Sequence, residues 1–452
     1  MAKPTGNTKR GAREKKAATI STKPLHFWKT IEEIKEPLLV CRSDDFKFDD
    51  VVEVVHRGEK RLGKVISIDG EVCTVELLEG TYGLGEDSAV RTFAKPFTFP
   101  MSNLLLGRVL SGLGKPLDKK PSIVLGKEMN VNGAPLNPTK RTVPNNIVKT
   151  GFASIDLLNP LAMGQKLAMF SSPGLPVVDF SLDLVRQSLE NMKKDFVVVF
   201  VGIGLIKDEE AFIMNEIEKF KLKSRSVFFI NTTEDPLTEA VVTPRIALTA
   251  AEYFAYERGK DVLVIMGDML NYGNALREMA SLRGDLLTRH GYPSYLFSDF
   301  ASLYERCGML SKRKGSITLL PYLTMPNDDI THPVPDTTGY ISEGQLVMTR
   351  EVLNKGVNPP LDILLSLSRM AQHALDKEAL QLSHKIYNLY AQGKKYEEIA
   401  SLMGADVLSQ EEQKFVDAKV EIEKELLSQE KEENRRLSEI VKIATSIVKK
   451  YS

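Results

Sequence analysis

The chain contains no run of about 18 uncharged apolar residues, so no segment reads as a membrane-spanning helix. Its N-terminus lacks an apolar signal core, and the expectation is a protein that is not secreted. Cysteine is scarce. Cys41, Cys73 and Cys307 are widely spaced and odd in number, which gives neither a zinc pattern nor a disulfide framework and fits a reducing cytosol. The six histidines (His26, His56, His290, His332, His373 and His384) show no H-E-x-x-H or other metal spacing. No G-x-S-x-G elbow occurs, and no repeat of solenoid period is evident.

Net charge is also missing, with 60 basic and 60 acidic residues, but the balance is uneven. Residues 1–23 hold Lys3, Lys9, Arg10, Arg13, Lys15, Lys16 and Lys23 against Glu14 alone. The remaining 53 basic and 59 acidic residues leave a body of net −6, which argues against a general nucleic-acid binder. The small, polar, basic composition of residues 1–23 predicts a disordered, solvated tail.

What is present is an ordinary globular composition: 452 residues, 42% hydrophobic and 27% charged. At roughly 150 residues per domain, that length suggests about three domains. From Pro37 to Phe99 short apolar runs alternate with turns: Val51–Val55, Leu62–Ile68 and Val72–Leu78. Asp69-Gly70 is a hairpin-type dipeptide between the last two, and the whole reads as a small β-barrel.

The middle of the chain has continuous apolar runs at Leu167–Phe170, Phe196–Val201, Val227–Ile230, Val262–Met266 and Ile317–Leu320. Such runs suit strands buried on both faces. Helical patterns separate them, for example Asp208 to Leu222, with Asp208 as the expected N-cap. This alternation predicts a mostly parallel α/β sheet. Beyond about Leu365 the pattern turns helical. Leu437, Ile440, Val441, Ala444, Ile447 and Val448 form an apolar stripe, and the charge-rich Glu411–Arg436 is expected to be a solvated helix face.

Ligands of a parallel α/β sheet sit beyond the carboxyl ends of its strands. There the first strand runs into Ser171-Ser-Pro-Gly174-Leu-Pro176-Val177-Val178. Against the phosphate-loop pattern G-x-x-x-x-G-K-[ST], Ser171 and Pro176 replace the glycines, and Val177 and Val178 replace the lysine and the hydroxyl. Proline removes an amide donor, and the valines offer neither charge nor metal ligand. No carboxylate directly follows Gly204, where Leu205 stands; Asp268 remains as a lone acid after a Walker-B-like strand. The adjacent acids Asp328 and Asp329 are expected to serve a turn or an interface rather than one shared ligand.

These segments occur in a recognisable order. Leu106–Asp118, Thr150-Gly-Phe-Ala-Ser-Ile-Asp156, Gly164-Gln165-Lys166, Leu303-Tyr-Glu-Arg306, Leu323–Asp336 and Pro359–Arg369 resemble the corresponding motifs of rotary ATPase alpha/beta chains. The loop variant Ser-x-Gly-Leu-Pro resembles that of the non-catalytic, B-type chains of V/A-type ATPases, across roughly residues 36–450. Members usually carry His-Asn at Val177-Val178, and the basic extension lies outside the family pattern.

The resemblance implies three domains: an N-terminal β-barrel, a central RecA-like α/β domain and a C-terminal α-helical bundle. With the sequence, it gives expected boundaries at 1–23 for the tail, 24–100 for the barrel, 101–364 for the RecA-like domain with its degenerate loop, and 365–452 for the bundle. It further implies a regulatory and structural subunit, not an enzyme by itself, that couples ATP synthesis or hydrolysis to ion transport. The implied partners are a catalytic A subunit, in a hexamer of three A and three B chains, and central and peripheral stalk subunits. Membrane association would be indirect and peripheral, on the cytoplasmic face, and no nucleic acid is implied.

By the same resemblance Arg369 acts in trans at the neighbouring catalytic site. Mg-ATP would be bound by that neighbour, with no tight cofactor binding at Ser171, Gly174, Pro176, Val177 and Val178, and no metal held by this chain. Two other readings stand beside it: an ATPase active by itself, and a hexameric nucleic-acid translocase built like the terminator Rho. Both need the working phosphate loop that this sequence lacks.

Overall fold

The computed structural model describes residues 27–28 and 31–451, so the expectation for the basic tail lies outside the described residues. Seven antiparallel strands open the fold: β1 (Phe27–Trp28), β2 (Ile31–Lys35), β3 (Leu38–Arg42), β4 (Val51–His56), β5 (Glu59–Asp69), β6 (Val72–Leu77) and β7 (Ala89–Thr92). Their order is β1-β7-β4-β5-β6-β3-β2. Asp69 pairs with Val72, so Gly70 and Glu71 form a two-residue hairpin turn with Gly70 at φ 60°. Leu39, Cys41, Val52, Val54, Val65, Cys73, Val75 and Val90 line one buried core, and the sheet curls around it as an open half-barrel. Cys41 and Cys73, 32 positions apart in sequence, face each other across β3 and β6 as free buried thiols.

The central sheet follows the path β15-β14-β9-β13-β12-β10-β11-β8. These strands are β8 (Val109–Ser111), β9 (Ala168–Ser171), β10 (Phe196–Leu205), β11 (Ser226–Thr232), β12 (Asp261–Gly267), β13 (Ser316–Thr324), β14 (Gly344–Met348) and β15 (Leu367–Ser368). Every neighbouring pair on the path is parallel except β14–β15, which is antiparallel. The helices between them include α1 (Val177–Asn191), α2 (Lys207–Lys219), α3 (Leu237–Glu252), α4 (Met269–Arg283), α5 (Leu296–Tyr304) and α6 (Pro333–Ile341).

Strand β10 shows why its sequence is apolar throughout. Val197, Val199, Val201 and Ile203 enter the core shared with α3, α4 and α5, whereas Phe196, Val198, Phe200 and Leu205 enter the one shared with α1 and α2. Burial on both faces leaves no position for a solvated side chain, so the run cannot alternate in polarity.

Three helices dominate the C-terminal region: α7 (Lys377–Met403), α8 (Gln410–Glu421) and α9 (Leu437–Tyr451). Ile440, Ala444, Ile447 and Val448 of α9 pack with Ile386 and Leu389 of α7, and this core continues into Ala153, Leu157 and Leu158 of the central domain. Two local expectations are corrected. Helix α2 begins at Lys207 with Ile206 as N-cap, because the Glu209 carboxylate accepts the Ile206 amide at 3.1 Å and fixes the first turn two residues earlier than Asp208 would. Glu411–Arg436 is helical only through Leu427, where a π-turn ends it. Residues beyond it lie across α1, where Gln187 Nε2 donates to Glu433 O at 3.0 Å and Asn191 Nδ2 to Asn434 Oδ1 at 2.7 Å. No helix among the described residues is long and apolar enough to cross a membrane.

Arg306 ties the central domain together. Its side chain is 0% exposed, and Nε and Nη2 donate to the Glu252 carboxylate, both at 2.8 Å, while Nη1 reaches Val131 O at 3.0 Å. A buried pair broken on one side leaves an uncompensated charge. Arg306→Met should therefore lower stability by about 3–5 kcal/mol, measured as a shift of the urea midpoint of the purified chain; an unchanged midpoint would contradict this.

Candidate functional site

Strand β9 leads into the degenerate loop. Ser172 N donates to Met348 O at 3.2 Å and Met325 N to Ser171 O at 2.8 Å, which fixes the loop's entry between β13 and β14. Gly174 turns the chain at φ 81°, and Pro176 precedes the first residue of α1. The Val177 amide donates back to Leu175 O at 2.8 Å, so it is spent within the turn. Val177 and Val178 are buried and join Leu175, Phe152 and Phe180 in the apolar core. They make the loop a hydrophobic plug at the place where a phosphate loop presents cation and hydroxyl.

Neighbouring groups close the loop from outside. Asp328 accepts a hydrogen bond from the Ser172 side chain and pairs with Arg350, which hold its carboxyl below the usual range. Arg350 also donates to Pro173 O at 2.8 Å. Asp179 occupies the first turn of α1, where it opposes a bound anion, and its carboxylate pairs with Lys431 at 3.1 Å. The cavity next to the loop measures about 70 Å³ and is lined by Pro176, Asp179, Asp183 and Glu430, among others. Ligand pockets usually enclose about 300–1,000 Å³.

The acids picked out in the sequence all have structural partners. Asp268 is half-buried and caps α4, accepting Leu270 N at 2.7 Å and Thr324 N at 3.0 Å; desolvation pushes its carboxyl up. Glu209, five positions after Gly204, caps α2. Asp329 accepts Thr331 N at 2.8 Å in a local turn, so Asp328 and Asp329 face different partners. Lys166, five positions before Ser171, is buried and pairs with Glu343 at 2.9 Å and Glu305 at 3.3 Å instead of reaching the loop. No cluster of metal-ligating side chains occurs among the described residues.

The arginine at the sheet edge has the opposite character. Strand β15 pairs with β14 through Ser368–Gly344 and Leu367–Gln345, and Arg369 N donates to Glu343 O at 3.1 Å. Ser368 Oγ donates to Pro160 O at 2.6 Å and accepts from Gln165 Nε2 at 3.1 Å. Gln165 Nε2 also donates to Glu343 O at 3.0 Å. Upstream, Asp362 accepts the amides of Leu364 at 2.8 Å and Leu365 at 3.1 Å, while Ser366 Oγ donates to Asp362 O at 2.6 Å.

The backbone beneath Arg369 is thus held at several points. Its side chain is exposed and has no hydrogen-bond or carboxylate partner among the described residues. Sequence reading singled out Arg369 and Gln165, but gave Glu343 no role in joining them. Nothing in the spacing marks Glu343, because its role is carried mainly by its peptide unit.

Gly344 makes this mount possible. It sits at φ 138°, and a Cβ there would lie 2.2 Å from Leu367 O. Gly344→Ala forces β15 away from β14 and adds backbone strain of about 1–3 kcal/mol. Amide exchange at Ser368 and Arg369 should accelerate about tenfold or more, consistent with local opening, in the intact chain followed by mass spectrometry. Unchanged exchange there would show that the mount tolerates the side chain.

Residues 151–368 match the family model for the ATP synthase alpha/beta family, nucleotide-binding domain, and residues 369–451 match the C-terminal domain of V and A type ATP synthase. The chain is 40% identical over 424 residues to the B subunit of the A-type ATP synthase of Methanocorpusculum labreanum, covering 92% of this chain and 93% of the relative. It is also 40% identical over 430 residues to the corresponding B subunit of Aeropyrum pernix, covering 93% of each. Among solved structures it is similar to the ATP synthase subunit NeqB of Nanoarcheaum equitans, at 35% identity and a TM-score of 0.76, covering 92% of this chain and 99% of that one.

Proposed function

The chain belongs to the ATP synthase alpha/beta family, and we propose that it is the non-catalytic, regulatory B-type subunit of a V/A-type rotary ATPase. In this reading it alternates with catalytic A subunits in a hexamer of three and three, contacts central and peripheral stalk subunits, and couples ATP synthesis or hydrolysis to ion transport. Its membrane association is peripheral and indirect, on the cytoplasmic face. The observation that carries the proposal is the pairing of a plugged loop with a free arginine: Val177 and Val178 are buried where a lysine and a hydroxyl would act, while Arg369 is exposed on a hydrogen-bonded edge and unpaired among the described residues.

The chemistry then divides between chains. Mg-ATP is bound by the neighbouring catalytic subunit, and Arg369 is supplied to it in trans. In phosphoryl transfer charge spreads over the transferring group, so a well-placed cation stabilises the transition state more than the ground state. Guanidinium is always charged and offers a planar fork to phosphate oxygens. Because Arg369 belongs to one chain and the nucleotide to another, opening their interface withdraws the charge and links turnover to subunit movement.

Two measurements test this. Titration calorimetry of the isolated chain should give no tight Mg-ATP binding, and steady-state assays no hydrolysis; sub-micromolar affinity would restore the reading of an independent ATPase. In reconstituted complexes, Arg369→Ala should leave hexamer and bound nucleotide in place yet cut turnover by about 10³–10⁵. Arg369→Lys should recover little of it, since ammonium lacks the fork. Near-normal turnover with alanine would return Arg369 to the role of a surface cation.

A further inference from the structure

We propose that Leu367, assisted by Leu365, is a positioning residue for Arg369: an apolar anchor that seats against the neighbouring catalytic subunit and fixes where the guanidinium lands. This rests on the reading of Arg369 as a group supplied in trans. Along 366–369 the side chains alternate. Ser366 and Ser368 are buried and hydrogen-bonded to Asp362 O and Pro160 O, whereas Leu367 and Arg369 are exposed. Residues i and i+2 of a strand share a face, so Leu367 projects on the side of Arg369. Leu367 is 55% exposed and Leu365, at the preceding turn, 54%.

A solvent-facing strand edge normally carries charge or proline to discourage pairing; two leucines there need a cover. The unpaired cation beside them identifies its chemistry. The occupant must offer an anionic group at Arg369 with an apolar recess beside it; Mg-ATP at the interface of the catalytic subunit would be that anion, and the recess is what the proposal requires of the same surface. A few well-packed, desolvated residues carry most of an interface's energy, arginine prominent among them. An arginine side chain also has considerable rotamer freedom, and displacing a reacting group by about 1 Å can cost about 10²-fold in rate. A short anchor two residues before it, in the strand that Arg369 extends, limits that freedom, because the intervening peptides are bonded to β14 and to Glu343 O.

A double-mutant cycle in the reconstituted hexamer tests the proposal. Leu367→Ala should lower kcat about ten- to a hundredfold with the KM for Mg-ATP and the hexamer unchanged. Leu367→Met, which restores the apolar volume, should recover most of the turnover. In the Arg369→Ala background, Leu367→Ala should cause no further loss, since an anchor that acts through the guanidinium has nothing left to place. Normal kcat for Leu367→Ala, the same fold-loss in both backgrounds, or dissociation of the hexamer would each overturn the positioning role. If Arg369→Ala is impaired and Leu367→Ala is normal, only the anchor fails. If Arg369→Ala is itself normal, the functional reading fails and the anchor with it.

Discussion

The peptide unit of Glu343 is the junction on which the functional edge of the central sheet depends. Its carbonyl accepts both the Arg369 amide and the Gln165 side chain, and its amide donates to Lys166 O at 2.7 Å. Its carboxylate accepts the Lys166 amide at 2.6 Å and pairs with the Lys166 ammonium. The start of β14, the approach to β9 and the residue that follows β15 therefore meet at one residue. Buried polar groups of this kind are costly when any partner is missing, so the arrangement has little freedom to relax part by part.

The constraint behind this junction is the burial of the parallel sheet on both faces. Such a sheet can present chemistry only beyond the ends of its strands and along its edges. In this chain the strand-end position is filled by Val177 and Val178, which continue the hydrophobic core across the place where a loop would otherwise open. The edge position is left to Arg369. The same fold fills one place with core and keeps an exposed charge at another, and the two are linked through the Lys166–Glu343 contacts. A loop that closes on its own core also keeps the sheet's carboxyl edge fixed, which the proposed supply of a charge to another chain would require.

Much of this was legible in the sequence because the signals were redundant. The runs at Phe196–Val201 and Val262–Met266 are too continuously apolar for a one-sided sheet, and both form buried strands. Substitution at Pro176, Val177 and Val178 removes specific donors, so the loss of a phosphate cradle could be argued before any geometry. Short edge strands were illegible: β15 is two residues long, and its existence depends on Gly344 admitting Leu367 O, a close approach that carries no periodicity. The same holds for the cap of α2. Ile206 is no N-cap by residue type, and what fixes the start is the Glu209 side chain reaching back to the Ile206 amide, the half of a capping box that needs no serine or aspartate. The stretch after Leu427 looked helical because its charges suit a solvated face, but its backbone is held by polar groups of α1, and composition does not report such partners.

An exposed arginine is the least informative of residues when seen alone, since most of its kind are solvated cations or members of weak surface pairs. What distinguishes Arg369 is the contrast between its side chain and its surroundings. Arg306, Arg245 and Arg108 lie in the same domain and each pairs with a carboxylate: Glu252, Asp299 and Asp118. Their charges serve the fold. The backbone at Arg369 is held by its bond to Glu343 O, yet among the described residues its guanidinium has no counter-ion. A surface cation without a partner gains nothing for the fold, so in the reading proposed above a held backbone presents that free charge to a partner outside the chain.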